Sequence, residues 1–150
     1  MSVEAFRDAG IYSANALIYK HDRNENIPRK DWLLNPDYWQ VPEVSLDLGT
    51  GDCEDFALLC LWKLWQQVEK NIDTYVIVGL YDPDDENSWH AWSGLDYVDT
   101  IYHTDATRPL GYSGKYYPPF GEEGYLRGRE QRYRLKYSPK YGLSPAQELN

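Results

Sequence analysis

Apolar side chains gather at helical spacing in two parts of the 150-residue chain. Phe6, Ala9, Ala16, Leu17 and Tyr19 predict a helix over residues 3–19, which Gly10 weakens. The stronger pattern spans residues 52–70, where Leu58, Leu61, Trp62, Trp65 and Val68 share one face. Asp52 suits its N-cap, Glu54 and Asp55 its first turn, and Lys70 and Asn71 its end. Between the two, residues 20–51 carry Pro28, Pro36 and Pro42 and read as an irregular connection. Further on, the β-branched run TYVIVGLY (74–81) predicts a buried strand, and PDDENS after it a surface turn. Residues 89–95 and 100–105 pair as a hairpin around Asp96–Asp99. RYRLKY (132–137) alternates charged and apolar residues as an edge strand would, with Tyr133, Leu135 and Tyr137 inward and Arg132, Arg134 and Lys136 outward.

Composition narrows the class. A hydrophobic content of 42% with six tryptophans and fourteen tyrosines describes a folded globule. The length suits a single domain over 1–150, with 110–150 a basic, tyrosine-rich tail docked on the body or serving a protein partner. No apolar run is long enough to span a bilayer, and the N-terminus lacks the pattern of a signal peptide. The expectation is a soluble, cytoplasmic protein without a membrane partner.

The net charge of −9 is uneven. Residues 1–105 hold 7 Lys/Arg against 20 Asp/Glu, while residues 106–150 hold 8 against 4. An acidic body repels phosphates, so no nucleic-acid partner is expected.

The chemistry centres on GTGDCEDFALL (49–59), where Cys53 opens the confident helix. Unpaired backbone N–H groups and the helix dipole favour a thiolate there, whereas Asp52, Glu54 and Asp55 oppose it. On balance the helix start predicts a depressed thiol pKa. Cys60 lies seven residues on, too far for a disulfide, and reads as core. A thiolate nucleophile wants a base beside it. His21 sits in a charged connector and His103 reads as structural or peripheral. His90 starts a strand between Trp89 and Trp92 and can be held rigidly. The spacings of Cys53, Cys60, His90 and His103 do not suit a structural zinc site.

The stretch DYWQVPEVSLDLGTGDCEDFALLCLWKL, followed by SWHAWSG and HTDATRP, resembles the transglutaminase-like superfamily of the papain-like fold. Within it the chain looks most like the bacterial transglutaminase-like cysteine proteinases. The resemblance covers about Tyr38 to Pro109, with separations of 37 and 15 residues between Cys53, His90 and Asp105. It implies an α+β fold with the nucleophile helix packed on an antiparallel sheet. It also implies Cys53 as nucleophile, His90 as base and Asp105 as the acid that orients the base. A hairpin centred between Tyr97 and Val98 would set His90 directly opposite Asp105. A tighter turn at Gly94-Leu95 would instead offer Asp99.

Some relatives bind calcium through acidic residues around the nucleophile, and Asp52, Glu54 and Asp55 match in position. Helix capping accounts for two of these carboxylates without a metal, so no cofactor is required and calcium stays open. The Cys53 backbone N–H would form half of an oxyanion hole, with Trp39 or Gln40 as candidates for the other donor. The expected activity is a cysteine peptidase or amidohydrolase acting on a protein or peptide substrate through a thioester. Transamidation and a non-catalytic module reusing the fold are the alternatives.

Overall fold

In the computed structural model, residues 2–21, 26–68, 71–122 and 128–149 are described. The chain runs through α1 (Ser2–Ala16), β1 (Ile18–Tyr19), α2 (Arg29–Leu33), a 3₁₀ turn (Pro36–Tyr38), α3 (Pro42–Leu48), β2 (Thr50–Gly51) and α4 (Cys53–Gln67). Strands β3 (Asp73–Leu80), β4 (Trp89–Tyr97), β5 (Thr100–Thr104), β6 (Phe120–Glu122), β7 (Glu130–Ser138), β8 (Gly142–Leu143) and β9 (Gln147–Glu148) follow.

The fold is α+β, with α4 packed against β3 and β4 of an antiparallel sheet and α1 against α4. Phe6, Phe56, Leu59, Leu61 and Leu64 from these helices meet Val76, Val78, Ala91, Leu95 and Leu135 from the sheet in one buried cluster. Burying such side chains contributes on the order of 1.5–3 kcal/mol each relative to exposure, so this layer anchors the Cys53 helix to the sheet.

α1 stops at Ala16, earlier than its apolar pattern suggests, because Ile18 and Tyr19 pair in parallel with Thr50 and Gly51. Gly10 stays inside the helix for a packing reason. A Cβ there would stand 2.9 Å from Thr104 Oγ1, so its absence lets α1 approach the end of β5. α4 ends at Gln67 with Val68 extended, and Lys70 lies outside the described residues.

The described part of residues 20–51 is not the irregular connection that its prolines suggest. Pro28 is the N-cap of α2, and Pro36 and Pro42 open the two helical segments after it. Proline is tolerated at these positions because the first N–H groups of a helix have no intrahelical partner. Gly49, at φ 71°, ends α3 in the left-handed conformation.

The main sheet runs β6-β5-β4-β3-β7-β8, with β9 also on β7. β7 is therefore interior rather than an edge. It pairs with β3 along most of its length, and β8 and β9 cover parts of its other side. The expected alternation holds only in its second half: Leu135 and Tyr137 are buried and Lys136 is exposed, meeting Asp73 at 3.1 Å, whereas Arg132, Tyr133 and Arg134 are all half-buried. Gly79 makes the β3–β7 pairing possible where its register shifts, since a Cβ on Gly79 would collide with the Glu130 carbonyl. Among the described residues, no helix is long and apolar enough to cross a membrane.

Candidate active site

Asp52 has extended backbone before α4, and its N–H donates to Asp55 Oδ2 at 3.1 Å. This is the returning bond of a capping box, and it fixes where the helix begins. Cys53 is thereby the first helical residue, fully buried as a member of the core cluster.

The sulfur does not meet the depressed pKa expected of a helix start. Burial pushes the Cys53 thiol well above its ordinary value, and Glu54 and Asp52 push the same way. The Arg29 guanidinium and the Ala91 backbone N–H pull it back only in part. The dipole of one helix end is a partial charge, so full desolvation beside carboxylates outweighs it. Cys60, pushed up to about 12 by burial, is core as expected.

Arg29, at the start of α2, has no counterpart among the residues singled out from sequence. Its Nη2 donates to Cys53 Sγ at 2.8 Å and its Nε to the Trp89 carbonyl at 3.0 Å. The thiol in turn points toward Glu54 Oε2 at 3.5 Å. Arg29 thus ties the Cys53 helix to β4 one residue before His90. Among the described residues, no hydrogen bond joins Cys53 directly to His90.

His90 Nε2 and Asp105 Oδ2 lie 2.9 Å apart. The hairpin that brings them together is offset from the expected register. Ser93 pairs with Thr104 and Gly94 with His103, so the two-residue turn is Val98-Asp99, both at positive φ. His90 is therefore not directly opposite Asp105. The offset is two residues, which preserves the face, and Asp105 reaches diagonally from just beyond β5. The Thr107 N–H, donating to Asp105 Oδ1 at 3.1 Å, sets the carboxylate in a short turn of its own. Asp99 sits exposed in the hairpin turn. His103 is buried, where Trp92 Nε1 donates to its Nδ1 at 3.0 Å, and His21 is exposed beside Tyr19.

Arg129, also unforeseen, donates from Nη1 to Asp105 Oδ2 at 2.7 Å. Its guanidinium lies over Tyr81 at 4.5 Å and Trp92 at 5.3 Å. Burial raises the Asp105 pKa, but the charges and hydrogen bonds of His90 and Arg129 outweigh it and hold the carboxyl well below its usual range. Neither arginine carries a local signal: Arg29 sits in a proline-marked connector and Arg129 in an arginine-rich stretch.

The oxyanion donors expected from Trp39 and Gln40 are committed elsewhere. Trp39 Nε1 donates to the Trp32 carbonyl at 3.2 Å. Gln40 gives its N–H and its Nε2 to Asp55, at 3.0 and 2.8 Å, and Nε2 also to the Thr50 carbonyl at 3.1 Å.

Asp52, Glu54 and Asp55 are all buried, with carboxylate oxygens within 4.8 Å of one another. Trp32 Nε1 donates to Glu54 Oε1 at 2.6 Å. Burial and the Glu54 charge raise the Asp55 pKa to about 6 against the Gln40 and Asp52 hydrogen bonds. Such a set of hard oxygen donors suits a divalent cation. Beside the site, a pocket of about 640 Å³ is lined by residues including Tyr19, Arg29, Lys30, Tyr81, Trp89 and His90.

No protein-family model and no curated protein matches the chain. Among solved structures it is similar to Legionella pneumophila LapG, at 15% identity and a TM-score of 0.65 over 99% of this chain and 71% of that one. It is also similar to calcium-bound LapG (17% identity, TM-score 0.59, 98% and 74%) and to EGTA-treated LapG (14%, 0.57, 97% and 72%). At these identities the likeness lies in the fold, which is transglutaminase-like.

Proposed function

We propose that this protein is a thiol acyl-transfer enzyme, a cysteine peptidase or amidohydrolase working through Cys53, His90 and Asp105. The observation that carries the reading is the His90–Asp105 hydrogen bond through Nε2, which leaves Nδ1 as the ring nitrogen for exchange with the thiol. Cys53 gives its proton to His90 and attacks a peptide or carboxamide carbonyl. His90 then protonates the departing amine, and water releases the acyl group from the thioester. Asp105 fixes the imidazole tautomer and orientation.

Asp52, Glu54 and Asp55 would hold a calcium ion, as the calcium-bound LapG structure suggests by analogy of fold. Its positive charge would offset the carboxylates that, together with burial, keep the thiol protonated.

The test is mass spectrometry of the wild type and Cys53→Ala after reaction with an activated ester. An acyl adduct confined to the Cys53 peptide and cleared by water supports the reading. Equal labelling of both proteins, or none on Cys53, removes it.

A further inference from the structure

We propose that Arg29 is a catalytic residue that supplies the second donor to the oxyanion. The inference rests on the acyl-transfer reading above. Three observations converge on it. Nη2 already lies 2.8 Å from the nucleophilic sulfur. The Nε bond to the Trp89 carbonyl anchors the guanidinium to the strand that carries His90. Nη1 is buried and has no acceptor among the described residues. A buried donor without a partner is costly to keep, and such a group calls for an explanation. Trp39 and Gln40, the other candidates, have given their donors away.

The chemistry needs a donor at this place. When the sulfur's electron pair forms the S–C bond, the C=O π pair moves onto oxygen, two bonds from the sulfur. Negative charge thus passes from an atom Arg29 already contacts to one next to it. The guanidinium presents a fixed fork of donors and stays charged, so it can follow that transfer without losing its anchor. Collapse re-forms C=O and breaks the bond to the leaving group, which departs as an amine protonated by His90. The Cys53 backbone N–H would be the companion donor.

Two probes separate this role from simple support of the thiolate. Acylation of Cys53 by p-nitrophenyl acetate passes through a tetrahedral oxyanion and expels p-nitrophenolate. Alkylation by iodoacetamide displaces iodide at a saturated carbon and forms no oxyanion. Both rates are measured on the Cys53 peptide near neutral pH for wild type, Arg29→Met and Arg29→Lys, with thermal melts as a check on folding. The expected result is that Arg29→Met lowers the ratio of acylation to alkylation about a hundredfold. Arg29→Lys, which keeps the charge and carries the comparison if the Met variant does not fold, should lower it by less. An unchanged ratio, with both rates falling together, would confine Arg29 to the thiolate and overturn the proposal. Release of p-nitrophenolate by Cys53→Ala as fast as by the wild type would instead strike the acyl-enzyme reading itself.

Discussion

Arg129 Nη1 donates to Asp105 Oδ2 at 2.7 Å, the same oxygen that lies 2.9 Å from His90 Nε2. Both side chains of the Arg129–Asp105 pair are about nine-tenths buried. The carboxylate bonded to His90 is therefore itself held by the residue just before the last long strand.

Removing that arginine leaves a buried charge with one partner fewer. Arg129→Met should lower stability at pH 7 by about 3 kcal/mol, the scale for breaking a buried pair. Asp105 is depressed in the folded state, so its contribution is present above its unfolded pKa near 3.8 and is lost as pH falls toward the folded value. Urea unfolding across pH should show a wild-type advantage that is full above about pH 5 and shrinks below pH 4. A constant difference across that range would assign the loss to packing over Tyr81 and Trp92.

Asp105→Asn should keep the fold and slow ester acylation of Cys53 by about two to four orders of magnitude, by analogy with serine triads. Asp99→Asn should be silent, since asparagine tolerates the positive φ of the turn and Asp99 is exposed. Acylation kinetics of the two variants check this directly, and a slow Asp99→Asn with an unaffected Asp105→Asn would reverse the assignment.

If the acidic cluster holds calcium, millimolar calcium should raise the melting temperature relative to chelator. At a hundredfold excess over Kd the gain is about 2.7 kcal/mol. Glu54→Gln should reduce that shift. Identical melts with calcium and chelator would leave the capping role of Asp55 as the account of this cluster.

Gly79→Ala should be disruptive for a residue so small. Its Cβ meets the Glu130 carbonyl, so β7 must move or the bulge must open. A cost of about 1–3 kcal/mol is expected from overpacking. Because Arg129 immediately precedes β7, ester acylation should slow as well. Urea midpoints and acylation rates measured together test both parts, and an unaffected acylation rate would uncouple the bulge from the site.

The parts legible in the sequence are those written in local pattern. The apolar face of α4 and the capping carboxylates place Cys53 at a helix start without reference to the rest of the chain. The run in β3 and the short β4–β5 hairpin bring His90 and Asp105 to one face, and an even slip in register could not undo that. The short helices of residues 29–48 escaped because each is too brief to show a period, and their prolines start helices rather than break them.

Sequence alone thus determined the helix, the hairpin and the His90–Asp105 face, since each is set by contacts close along the chain. Only tertiary structure decided that Arg29 caps the sulfur from 24 residues away and that Arg129 grips Asp105 across another 24. It also decided that β7 lies inside the sheet and that the thiol is pushed up rather than down. Desolvation depends on everything packed around a group, and an arginine's partner depends on which distant elements the fold brings alongside it. Neither is encoded in any local period.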